Sequence, residues 1–268
     1  MPLYVECRGK GVPILCLHGH PGSSQAMSVF TASLSKQFYT VTPDLRGYGK
    51  SKTKRPFAMD EHLNDLEDVL DRNNIEQCLI LGWSLGGILA MEMVLRSPTR
   101  IQGLILVGTA AHPRGSHPPI SWQDNLYTGV ASIINWIKPA WRWNIETLGK
   151  RSLYRYLVRN HTDEVYRRLA SEGITAYFQT TKYATQALYG AMREGYNRVP
   201  DLQTVQCPCL VLAGECDRHI TAAASKETME HLPNATYKEY ENVAHLFPWE
   251  IPDQVISDIN HWLSLHCP

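Results

Sequence analysis

Neither sign of charge is in surplus in this chain: 26 Lys+Arg stand against 26 Asp+Glu over 268 residues. With no net field, nothing draws the molecule as a whole toward nucleic acid or an acidic membrane. No uninterrupted apolar run approaches the ~20 residues that a membrane-spanning helix needs. The opening Met1–Pro2–Leu3–Tyr4–Val5–Glu6–Cys7–Arg8 lacks the basic-then-apolar order of a secretory signal. Seven cysteines, an odd and scattered set, do not form a disulfide framework, so free thiols in a reducing cytoplasm are expected. Without secretion, the glycosylation patterns at Asn160–His161–Thr162 and Asn234–Ala235–Thr236 carry no meaning. Metal signatures are missing too. There is no His-Glu-x-x-His, and Cys207–Pro208–Cys209 is not a zinc motif. Gly49–Lys50–Ser51 fails as a phosphate loop because Asp44 stands where that motif needs glycine. No internal repeat or low-complexity tract is found.

What is present is apolar residue in quantity, 44% of the chain, arranged in short runs that alternate with helical patterns. Pro2–Cys7 reads as an edge strand, Val12–Leu17 as a buried one, Ala26–Ser35 as a helix and Tyr39–Pro43 as the next strand. Met59, Leu63, Leu66, Val69 and Leu70 recur at helical spacing. Strands are expected again at Gly103–Val107, Leu210–Ala213 and Thr236–Tyr240, with helices at Ala222–His231 and around Val255–Leu263. Near-continuous apolar strands between helices predict an α/β fold with a mostly parallel sheet covered on both faces.

That rhythm breaks over 112–200, which therefore reads as a helical cap or lid inserted into a core made of 1–111 and 201–268. The insert holds four of the seven tryptophans, eight of the thirteen tyrosines, and twelve basic residues against six acidic ones. Ser152–Arg159 and Glu164–Ala170 look helical. Arg151, Arg155 and Arg159 recur every four residues, which on a helix is one face, with Arg142 nearby. The plain reading is a solvated surface; the sharper one is a docking face for an acidic carrier protein or an anionic acyl substrate.

The chemistry centres on Gly82–Trp83–Ser84–Leu85–Gly86. Preceded by an apolar strand and followed by an apolar helical run, Gly-x-Ser-x-Gly is the form of a nucleophile elbow, a serine on a sharp strand-to-helix turn. A serine hydroxyl needs a base to take its proton and a third group to orient that base. In this strand–turn–helix form the chain order is serine, acid, histidine. Asp217 follows the strand ending at Ala213, and His245 lies just past the last strand. Glu215 competes with Asp217, but spacing favours the latter. The N–H groups of Leu85 and His20 are assigned to the oxyanion hole. Trp83 could be core or pocket wall. No cofactor is called for.

The chain resembles the α/β-hydrolase superfamily over nearly its whole length. The likeness rests on His18–Gly19–His20–Pro21–Gly22, Asp44–Leu45–Arg46–Gly47–Tyr48–Gly49–Lys50–Ser51, the elbow, Gly214–Glu215–Cys216–Asp217 and Val243–Ala244–His245. The elbow is most similar to pimeloyl-carrier-protein methyl esterases. The first loop is closer to epoxide hydrolases and haloalkane dehalogenases, whose elbow aspartate is here Ser84. The resemblance implies a serine carboxylic-ester hydrolase acting on a small to medium apolar acyl or aryl substrate. Thioester or β-diketone carbon–carbon cleavage by the same residues, and a hydrolase-derived receptor with little turnover, are the alternatives.

Overall fold

The computed structural model describes residues 1–267. Seven strands form one sheet: β1 (Val5–Arg8), β2 (Pro13–Leu17), β3 (Tyr39–Pro43), β4 (Cys78–Trp83), β5 (Ile101–Val107), β6 (Cys209–Gly214) and β7 (Ala235–Tyr240). Their order is β1-β3-β2-β4-β5-β6-β7. β1 pairs antiparallel with β3, and every other pairing is parallel. Every residue of β4 and β6 is buried, as expected of strands covered on both faces. The edge strand β7 is mostly open to solvent and carries Lys238 and Glu239, charges that discourage edge-to-edge pairing.

Alternation along the strands sorts their side chains to two faces. Leu79 and Leu81 of β4 point to the side covered by α1 (Ser28–Leu34), through Phe30 and Leu34. Ile80 points to the side covered by α2 (Glu61–Arg72) and α3 (Leu85–Arg96), through Leu66, Val69 and Leu89. The period-3.6 pattern around Met59–Leu70 and the largely apolar α3 together supply the wall on this side.

Between β5 and β6 the chain runs through α4 (Trp122–Ile137), α5 (Arg142–Thr147), α6 (Tyr154–Leu157), α7 (Asp163–Arg168), α8 (Ile174–Gln179) and α9 (Lys182–Arg193). After β6 come α10 (Ala222–His231), α11 (Phe247–Glu250) and α12 (Pro252–His266), the last packing Val255, Ile259 and Trp262 beside α1. No described helix is long and apolar enough to cross a membrane.

Two expectations change. The helix expected over Ala26–Ser35 opens as a 3₁₀ turn, Ser24–Met27, before α1 begins. More consequentially, Arg151, Arg155 and Arg159 do not share a helix face. Arg151 ends a 3₁₀ turn, Ser152 is extended, α6 is only four residues long, and Val158 is extended again before Arg159. Arg155 is also engaged, its guanidinium donating to Asp124 at 2.6 Å and to the Tyr156 hydroxyl at 2.8 Å. Local pairing and tertiary packing outweigh the four-residue spacing.

Candidate active site

The turn between β4 and α3 holds Ser84 at φ 53°, ψ −116°, a strained conformation for a residue with a side chain. Its N–H donates to the Val107 carbonyl of β5 at 2.9 Å, pinning the turn to the neighbouring strand. The flanking glycines are a packing requirement. A Cβ on Gly82 would collide with the carbonyl of Gly86, and one on Gly86 with the carbonyl of Leu17 in β2. Ser84 is buried, with 7% of its surface accessible. Gly19 lies against it: a Cβ there would sit 3.2 Å from the Ser84 Cβ and 3.8 Å from Oγ.

Two donors near this point are unspent. The first N–H groups of a helix have no partner within it, and among the described residues the Leu85 N–H donates to no acceptor. The His20 N–H, next after Gly19, likewise has none. The loop holding it is braced. His18 Nε2 accepts from the Leu45 N–H at 3.0 Å, so its proton sits on Nδ1, 2.8 Å from the Gly19 carbonyl. Asp44 accepts from the Ser24 N–H at 2.6 Å and the Lys50 N–H at 2.8 Å. Arg46 turns instead to α2, where it pairs with Asp65 at 2.6 Å and Glu61 at 2.8 Å.

The end of β6 delivers Asp217. Its Oδ1 accepts from the N–H groups of His219 at 2.7 Å and Ile220 at 2.9 Å, and its Oδ2 lies 2.7 Å from His245 Nδ1. Both side chains are buried. That contact commits Nδ1 to the carboxylate and leaves Nε2 as the other functional nitrogen. Glu215 is spent elsewhere, accepting from the Asn242 N–H at 2.9 Å. Among the described residues no hydrogen bond joins the Ser84 hydroxyl to His245. The backbone nonetheless brings them to one place: Ser84 is bonded to Val107, and a Cβ on the next residue, Gly108, would lie 3.5 Å from the His245 ring. Such hydroxyl–imidazole contacts are often long in unliganded sites and tighten on substrate binding.

Three nearby residues escape the sequence reading. His219 lies edge-on to His245, ring centroids 4.8 Å apart, and stacks on His117 at 6.1 Å. The residue is exposed to solvent, but desolvation on its packed side and then the neighbouring His245 lower its pKa, which favours the neutral ring and avoids a like charge beside His245. The Tyr48 hydroxyl lies 2.9 Å from His20 Nδ1, and Tyr189 of α9 stands edge-on to the same ring at 6.0 Å. Burial, then His18, lower the His20 pKa to about 4. The one local signal for Tyr48 was its place between Gly47 and Gly49; nothing local marks the others. Trp83 resolves as core, 4% exposed and edge-on to Phe30 and Trp249.

This geometry can be set beside that of known proteins. A family model described as the alpha/beta hydrolase fold matches residues 12–252. The pimeloyl-[acyl-carrier protein] methyl ester esterase of Nitrosomonas europaea is 26% identical over 260 residues, 95% of this chain and 97% of that protein. The protein of the same name from Nitrosospira multiformis is 38% identical over 111 residues; the match spans 40% of this chain and 42% of that one, less than half of either length. Among solved structures, a thermophilic esterase from Thermogutta terrifontis superposes with a TM-score of 0.75 at 24% identity, over 98% of this chain and 94% of its own. An enol-lactonase from Burkholderia xenovorans gives 0.73 at 20%, over 98% and 96%. With that family model matching residues 12–252, most of its length, the chain belongs to the α/β-hydrolase fold family.

Proposed function

We propose that this protein is a serine carboxylic-ester hydrolase working through an acyl-enzyme. In this reading Ser84 attacks the ester carbonyl while His245 takes its proton and later returns it to the leaving alcohol. Asp217 orients the ring and stabilises the imidazolium, and the N–H groups of Leu85 and His20 hold the oxyanion. The observation that carries it is the combination at one sheet edge of a strained, glycine-cleared Ser84, two unspent N–H donors and an imidazole bound to Asp217 at 2.7 Å. The half-buried His20, whose lowered pKa favours the neutral ring, and the tyrosines around it favour an apolar acyl group over an anionic one.

The segment 112–200 is assigned as the lid over this edge, since α9 brings Tyr189 against His20 and its preceding Thr181 N–H donates to the Gly47 carbonyl at 2.8 Å. By its name the Nitrosomonas relative acts on a carrier-protein methyl ester. For this chain a carrier is a narrower proposal, which Arg142, Arg151 and Arg159 would have to serve as separate cations without Arg155.

Steady-state hydrolysis of p-nitrophenyl acetate and butyrate, with Ser84→Ala as control, tests the reading. Sustained turnover that vanishes in the variant is the expected result. A single burst followed by silence would favour the receptor reading. Turnover that survives in Ser84→Ala would remove the serine mechanism.

A further inference from the structure

The longest described helix, α4, is built inside out. Its 16 residues contain one charged side chain, Asp124, which caps the N-terminus with Ser121 and pairs with Arg155. The face it turns inward is small and polar: Asp124, Thr128, Ala131, Ser132 and Asn135. These residues are satisfied in place. Asn135 Nδ2 donates to the Tyr166 carbonyl at 2.6 Å, Ser132 Oγ lies 2.6 Å from the Tyr154 hydroxyl, and Thr128 Oγ1 accepts from the Leu153 N–H at 3.0 Å. The opposite face carries Trp122, Leu126, Val130, Ile133, Trp136 and Ile137, all open to solvent, with Trp122 at 72% and Ile137 at 71% exposure. At ~100° per residue these six fall within an arc of about 120°. A surface helix that simply faces water shows the reverse arrangement.

The patch continues onto α5 and α8, which pack on α4. α5 carries exposed Trp143, and α8 exposed Tyr177 and Phe178. Nine large apolar side chains are thus exposed on packed neighbouring helices, and apolar surface gathered in this way, unlike single scattered residues, marks an interaction face. Its composition narrows the occupant. Tryptophan, tyrosine and phenylalanine in the company of basic residues are the makeup of an element lying in the lipid headgroup layer. Lys138 directly follows α4, its ammonium 4.4 Å from the centre of the Trp141 ring, and Arg142 opens α5 with its side chain 73% exposed and Asp163 at the edge of pairing distance, 3.9 Å away. The surrounding 112–200 segment holds twelve basic residues against six acidic ones, a positive excess on this part of a chain with no net charge. A second copy docking face to face would set this positive excess against itself, because an isologous contact pairs each patch with its own kind. An anionic bilayer complements it.

We propose that the outer face of α4, with Trp143, Tyr177 and Phe178, docks this protein on an anionic lipid surface without crossing it. The assignment does not depend on the esterase reading and is read out without activity. The full-length protein is sedimented with vesicles of phosphatidylcholine alone and of equal parts phosphatidylcholine and phosphatidylglycerol. Binding to the mixed vesicles is expected, weaker on phosphatidylcholine alone and weakened by salt. Acyl chains brominated near the headgroup should quench part of the tryptophan fluorescence of the unaltered protein. Trp136→Ala/Ile137→Ser should lower partitioning at least about tenfold with an unchanged melting temperature. Lys138→Glu/Arg142→Glu should lower it on mixed vesicles only. Failure of the unaltered protein to bind either vesicle overturns the proposal, as does equal binding by the Trp136/Ile137 variant. A concentration-dependent dimer that the same variant abolishes, with no vesicle binding, assigns the face to a second copy and overturns it as well.

Discussion

Two regions of this molecule use the same apolar residue types to opposite ends. In the sheet, Ile80, Leu81 and Ile105 are fully buried, Leu81 and Ile105 on the face covered by α1 and α12 and Ile80 on the face covered by α2 and α3. In α4, Ile133 and Ile137 stand open to solvent while Asn135 is 1% exposed. Hydrophobic pattern thus reports which face of an element is apolar; the partner, not the pattern, settles which face is inside. The core brings Ser84, Asp217 and His245 to the carboxyl ends of β4, β6 and β7, whereas residues 112–200 leave a set of large apolar side chains open to solvent.

The contrast can be tested from its largest expected effect downward. Ser84→Ala should lower kcat for a p-nitrophenyl ester by on the order of 10⁴-fold or more while leaving the melting curve in place; a loss below tenfold would detach the elbow from the chemistry. In the core, Ile105→Ala should cost about 2–5 kcal/mol of unfolding free energy in denaturant titration, since its side chain is wholly buried. On the inward side of α4, Asn135→Leu should cost about 1–3 kcal/mol, because it strands the Tyr166 carbonyl and the Ala140 N–H that Asn135 now satisfies. Stabilisation instead would mean that the polar face is not the packed one.

Acid should act mainly through the core. His62 is buried with both ring nitrogens unpartnered, and burial holds its pKa down at about 3. Between about 3 and the ordinary histidine value near 6.5, the unfolded chain takes a proton that the folded one refuses, so stability falls as pH drops through that window. At pH 5 this should amount to on the order of 1–2 kcal/mol for His62. His62→Leu should flatten the decline in melting temperature between pH 7 and 5; an unchanged slope would contradict the assignment. The smallest effect belongs to the outer face of α4. Ile133→Ala should move stability by no more than about 0.5 kcal/mol, and a core-sized loss there would erase the distinction between the two regions.

Much of the core was legible residue by residue. Tyr39–Pro43 and Ala222–His231 have the bounds that apolar runs and helical spacing indicated. The elbow was legible because its glycines answer to local crowding: a turn that brings Gly82 onto Gly86 and Gly86 onto Leu17 tolerates no Cβ, so the requirement is written at fixed spacing. Residues 112–200 are less legible. The arginine repeat suggests a helix face that extended backbone at Ser152 and Val158 interrupts, and the sequence does not mark α4, whose apolar side faces solvent. His219, Tyr48 and Tyr189 left almost no trace, since they reach the site from separate loops and a helix.

The sequence by itself determined the α/β alternation, the sharp turn at Ser84 and the order in which Ser84, Asp217 and His245 follow their strands. These depend on short-range sterics and on burial of strands from both sides. Only the tertiary structure decided that Asp217 rather than Glu215 meets His245, that Arg155 is held by Asp124, and that α4 turns its polar side inward. Those outcomes depend on hydrogen-bond partners tens of residues away, and a buried polar group goes where its partner is.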